Sequence, residues 1–266
     1  TESLTGRFFL HRCTHWSFSE CRDAFEWSVE EWIYFGGYPG ASAFIENETF
    51  WKRYVVDSLI ETVLARDVLH MVKVTKPALL RHLFALSATF PSQIVSYNKM
   101  LGQLQEARNT TTLANYLRLL ESAFLVSGLE LFSRGTRRKR GSSPKLVLWN
   151  NALVNALSTH DFESAIADSV WWGRLVENAV GAHLLNGLNS VEYSVTYWRE
   201  GHHEVDFIIA RGRDVWAVEV KSGRSCKATG LDQFRQRYPG ARMLLVGSQG
   251  VPLDEFFERQ ASDWLR

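Results

Sequence analysis

Apolar positions follow two different periods along the 266 residues, and the change of period divides the chain. In the first part they recur at three- and four-residue spacing, the mark of amphipathic helices. Val55, Val56, Leu59, Ile60, Val63, Leu64 and Val68 form one such stripe and predict a helix from Asn47 to about Met71. Pro77 opens the next, with Leu79, Leu80, Leu83, Phe84 and Leu86 on its apolar side. Two more are expected over 92–104 and 110–124, the latter on Leu113, Tyr116, Leu117 and Leu120. Upstream, Arg7–Leu10 reads as a short strand, and Ser17 or Ser19 caps a helix. Glu30–Phe35 stops at Gly36-Gly37-Tyr38-Pro39-Gly40.

The period then shortens. Residues 124–132 and 145–149 read as strands, so three helices are followed by a hairpin. That order is a winged helix-turn-helix, or a helical bundle with an incidental hairpin. From Leu131 to His160 the chain has no Asp or Glu and six Lys or Arg. Four of them, Arg137, Arg138, Lys139 and Arg140, crowd the hairpin tip, where cations can meet phosphates. A solvated loop guarding a sheet edge would read the same way.

Further on, Glu204-Val205-Asp206-Phe207-Ile208-Ile209 turns at Arg211-Gly212-Arg213 into Trp216-Ala217-Val218-Glu219-Val220-Lys221. Charges on apolar strands are used or paired. Alternation sets Glu219 and Lys221 on one face, and in a hairpin Asp206 reaches that face too. Two carboxylates and an ammonium at one spot suit a hard divalent cation beside an attacking water. A cross-strand Glu–Lys pair on a surface hairpin is the plainer alternative. A helix at Leu231–Tyr238 and a buried strand at Met243–Gly247 follow.

Composition adds little. Hydrophobic residues make up 45% and charged ones 22%, and the net charge of +1 favours no partner. No apolar run approaches the ~20 residues of a membrane span, and a cytoplasmic protein is expected. Cys13, Cys21 and Cys226 are scattered, without metal-ligand spacing.

The strand acids and Glu219-x-Lys221 resemble the PD-(D/E)xK nuclease superfamily over residues ~170–250, with Val205 in place of the usual proline. The resemblance implies a restriction-endonuclease-like α/β domain. Asp206 and Glu219 would hold Mg²⁺ or Mn²⁺. Lys221 and Glu177, the latter on the preceding helix, would be catalytic. Gln233 would be accessory, as on the following helix of related nucleases.

Over nearly the whole chain a longer series is similar to the C-terminal region, of unknown function, in prokaryotic AAA-type ATPases. It comprises Glu2–Arg7, Tyr34–Gly40, Ala65-Arg66-Asp67-Val68, the 110–121 helix, Lys145–Asn150 and Tyr197–Phe207. This implies an α+β chain: residues 1–20 the end of the ATPase module, 21–150 helices and winged helix, 151–266 the nuclease-like domain. DNA is the expected partner, with a homo-oligomer in the full-length protein. No Gly-x-x-x-x-Gly-Lys-Ser/Thr occurs, so ATP would be bound only by the preceding module. A non-catalytic nuclease-fold scaffold, binding a protein partner or regulating the ATPase, is the alternative.

Overall fold

The computed structural model describes residues 6–7, 12–68, 74–104, 109–133, 142–223 and 229–266. The N-terminal helices are set by their caps. Helix α1 (Phe18–Phe25) and α2 (Val29–Phe35) each begin in a capping box, Ser17 with Glu20 and Ser28 with Glu31. Gly36, at φ +70°, ends α2; a Cβ there would sit 1.8 Å from Asn150 Oδ1. Asn47 caps α3 (Glu48–Tyr54), which runs on through π turns at Val55–Ile60 and Val63–Val68. Tyr34, Phe35, Trp51 and Phe162 pack ring against ring where these helices meet.

Helix α4 (Pro77–Ala88) starts at its proline. The helix expected from 92 begins later. Ser92 takes a left-handed φ of +56°, and Gln93–Ile94 form strand β1. Helix α5 (Tyr97–Gln103) then starts behind the Ser96 cap. Helix α6 (Thr110–Ser122) leads to β2 (Val126–Leu129) and β3 (Lys145–Leu148). The three strands form one antiparallel sheet in the order β1-β3-β2.

Short helices α7 (Ala152–Asn155) and α8 (Phe162–Ala167) precede the 19-residue α9 (Ser169–Gly187). The second sheet, β4 (Ser194–Glu200), β5 (His203–Arg211), β6 (Asp214–Lys221) and β7 (Arg242–Gly247), is antiparallel except for the parallel β6–β7 pair. Helices α10 (Thr229–Arg237) and α11 (Leu253–Glu258) flank β7 in sequence. The chain is mixed α+β, helices first and this sheet after.

One large core runs through both parts, with Phe207, Val218 and Val220 on its side of the second sheet. The other face carries a smaller cluster, Trp198, Val205, Ile208, Ala217, Leu231 and Phe234, under α10. Each fully buried large side chain contributes roughly 1.5–3 kcal/mol. A buried amide network joins the parts. Asn178 of α9 donates to Leu148 O (3.0 Å) and Asn151 Oδ1 (2.7 Å) and accepts from Leu148 N (2.9 Å). No helix among the described residues is long and apolar enough to cross a membrane.

Candidate functional site: an acidic cleft around a buried lysine

Strands β5 and β6 form a tight hairpin, closed by the Arg211–Asp214 pair around Gly212 at φ +60°. At its open end the alternation of β5 is broken. Val205 pairs with Trp198 and Ile208 with Thr196, so Asp206 and Phe207 together face a single residue of β4. This β-bulge leaves Val205 and Ile208, three apart, in the same small cluster. Asp206 is thereby turned with Phe207 toward α9 and β3. Glu219 keeps its alternation and shares the face of Ala217, toward α10. A Cβ on Gly230 would lie 3.5 Å from Glu219 Oε2.

Of Asp206, Glu219 and Lys221, expected to meet at one spot, the last two pair directly, and Asp206 binds Val220 N and Lys145 beside them. Lys221 Nζ lies 2.6 Å from Glu219 Oε1. Glu219 Oε2 is buried without a hydrogen-bond partner. Burial, followed by the negative charge of Asp206, pushes the Glu219 carboxyl above its ordinary range against the pull of Lys221. Asp206 spans the gap between the strands: its Oδ2 accepts from Val220 N at 2.9 Å.

Asp206 Oδ1 meets a side chain from the other sheet. Lys145, the first residue of β3, is fully buried. Its Nζ lies 2.5 Å from Glu177 Oε1, 3.1 Å from Asp206 Oδ1 and 3.5 Å from Glu204 Oε1. It also reaches the main-chain oxygen of Asp206 at 3.3 Å and sits 5.0 Å from the Phe207 ring centre. Burial alone would drive this ammonium toward its neutral form; Glu177, Asp206 and Glu204 outweigh burial and hold its pKa above the usual lysine value.

Glu177 stands on α9 as expected, and it also accepts from Ser92 Oγ at 3.0 Å. Burial and then the charge of Asp206 raise its carboxyl to about 8, over the opposing pull of Lys145 and Ser92. The left-handed Ser92 thus has a role: the backbone that interrupts the expected helix delivers a hydroxyl to the cluster.

Mg²⁺ or Mn²⁺ does not fit these residues as they are arranged. Asp206 lies in the gap between β5 and β6 and pairs with Lys145, and Glu219 pairs with Lys221. The Lys145 ammonium stands among the remaining carboxylates. No group of three or more His, Cys, Asp or Glu among the described residues is placed to hold a metal. Gln233 lies on the exposed side of α10. Arg137, Arg138, Lys139 and Arg140 lie outside the described residues.

Lys145, Glu204 and Ser92 carry much of this cluster, and none was a site candidate on sequence. Lys145 had a readable signal. It opens the apolar run Leu146-Val147-Leu148-Trp149, where a charge must be paired. A separate small cavity of ≈ 20 Å³, room for about one water, lies between His15, Trp32, Trp149 and Asn150.

Two family models match. The one described as "Domain of unknown function (DUF8612)" covers residues 26–164, just over half of the chain, and the chain belongs to that family. The one described as "Domain of unknown function (DUF4143)", a domain found in AAA-ATPase-associated C-terminal regions, covers residues 172–256. No curated protein matches. Among solved structures, protein VC1899 from Vibrio cholerae is similar at 16% identity over 63% of this chain, with a TM-score of 0.20. The chain spans 46% of that protein's length.

Proposed function

We propose that this member of the DUF8612 family is a non-catalytic binding and regulatory region of an AAA-type ATPase, with its nuclease-like cleft closed by its own lysine. The winged-helix reading of the first part is supported by the order α4-β1-α5-α6-β2-β3, with β1 adding a third strand to the hairpin. The nuclease-like reading of the second part is supported by Asp206 and Glu219-x-Lys221 on paired strands, with Glu177 on the preceding helix. The observation that carries the non-catalytic reading is Lys145. A fully buried ammonium within 2.5–3.5 Å of three carboxylates occupies the place where a hydrolytic cation would be needed. Fold alone does not establish chemistry.

A second reading, a metal-dependent phosphodiesterase acting on DNA held by Arg137–Arg140, is favoured by the unpartnered Glu219 Oε2, which leaves one carboxylate oxygen for a ligand. One experiment separates the two. Plasmid, hairpin and single-stranded DNA are incubated with the chain and Mg²⁺ or Mn²⁺, alongside Asp206→Ala and Lys221→Ala. The expected result is no cleavage above the variants. Metal-dependent cleavage lost in both variants, with circular dichroism unchanged, would overturn the non-catalytic reading.

A further inference from the structure

We propose that the small cavity beside His15 and Asn150 is a binding site for one ordered water molecule, which accepts a hydrogen bond from Asn150 Nδ2 and is an integral part of the fold. The site shares no residue with the Lys145 cluster and does not rest on the reading of a closed cleft.

Four stretches of chain meet at this cavity: the segment at His15, the Gly36-Gly37 turn, the end of β3 at Trp149–Asn150, and α9 at Ala182. Its volume of ≈ 20 Å³ admits about one water. Asn150 stands in the wall at 4% exposure. Its Oδ1 accepts from Gly37 N at 3.2 Å and from Ala152 N at 3.0 Å. These two main-chain donors fix the amide, because a flipped amide would set N–H against N–H. Nδ2 is thus held in place, and there it is buried without a partner. The other two asparagines of the wall have theirs. Asn151 Nδ2 donates to Ile33 O and Leu175 O, and Asn186 Nδ2 to Trp149 O and Ala182 O. A buried donor left unpaired carries its full desolvation cost, so Asn150 calls for an acceptor from outside the chain.

The same wall has acceptors to spare. Asn186 Oδ1 and Trp16 O each receive a long contact, from His15 N and Trp32 Nε1, both at 3.4 Å. His15 Nδ1 lies 3.1 Å from Trp149 O, which can only accept, so Nδ1 of the neutral ring carries the proton and Nε2 a lone pair. This mixture selects the ligand. A cation would meet the N–H side of the Asn150 amide. An anion would meet carbonyl and amide oxygens with no formal positive charge among the lining side chains. A neutral molecule that both accepts and donates suits the wall, and at this volume that molecule is water.

The test is NMR of the wild-type chain, with the Asn150 side-chain amide assigned by its loss in Asn150→Asp. Its protons should give cross-peaks to water of opposite sign in laboratory-frame and rotating-frame Overhauser spectra. Opposite signs mark a long-lived bound water; proton exchange and passing surface water give the same sign in both. A second arm fills the cavity with Ala182→Val. The added methyls should displace the water, remove the cross-peaks and strand Nδ2, lowering Tm by roughly 3–8 °C.

Wild type without such cross-peaks, or with the same sign in both spectra, would overturn the inference. So would a rise in Tm in Ala182→Val, because filling a dry cavity adds contacts and strands no donor. The wild-type spectra decide the matter even where the variant fails to fold.

Discussion

Glu177→Gln should reverse part of the pH dependence of stability. The folded carboxyl is raised from 4.5 to about 8, first by burial and then by Asp206. Between those values the folded chain holds a proton that the unfolded chain has released. Raising the pH through this window therefore costs stability, and the cost is complete only above about 8. The full displacement is worth at most roughly 5 kcal/mol. The side chain is 24% exposed, which reduces the expectation to roughly 2 kcal/mol. Glutamine mimics the protonated acid and can still accept from Ser92. The variant should match wild type near pH 5 and exceed it by roughly 2 kcal/mol at pH 9. The assay is urea unfolding of both proteins in EDTA from pH 5 to 9, read as the difference so that other titrating groups cancel. A difference that is flat, or that grows in favour of wild type, refutes the reasoning; it would mean that Lys145 keeps Glu177 ionised throughout.

Two further outcomes are expected. His15 and His183 are buried, and burial lowers both to about 4, so the folded chain keeps them neutral while the unfolded chain protonates them below 6.5. Stability from these groups is present above 6.5 and lost toward 4, and His183→Leu should remove up to roughly 3 kcal/mol of that acid-side slope; an unchanged slope in a denaturation series from pH 4 to 7 would contradict it. Asn178→Ala strips three hydrogen bonds between α9 and the β3–α7 region, leaves Leu148 N–H without its side-chain acceptor, and should cost roughly 3–5 kcal/mol in urea unfolding. A loss below 1 kcal/mol would show that water replaces the amide.

The helices were legible because their signals are local. Ser17 and Asn47 stand where a side-chain oxygen precedes a helical run, and Gly36 stops α2 where the chain needs a positive φ. The β5–β6 hairpin was legible from alternation and the Gly212 turn. Two features were not. Ser92 sits in a run that fits a helix, yet Val95 N bonds to Pro144 O and draws the segment into the sheet, a long-range contact that periodicity does not carry. The bulge at Asp206–Phe207 is set by pairing with β4, so the face of Asp206 could not be read from β5 alone. Strict alternation there does not foresee that Asp206 binds both Val220 N and Lys145.

The same rule that drew attention to Asp206 applies to Lys145, but composition pointed elsewhere. Lys145 is one of six cations in a thirty-residue stretch without carboxylates, and such a stretch reads as a surface for phosphate. Position within the stretch separates two tasks. The cations at 137–140 fall among glycine and polar residues, while Lys145 leads a strand buried at all four positions. A lone buried ammonium would cost several kcal/mol, so its presence at the head of β3 requires acids from elsewhere in the chain. Those acids lie at 177, 204 and 206, beyond the reach of any local motif. The charge balance of this acidic cluster is thus set by a residue outside the β5–β6 strand motif.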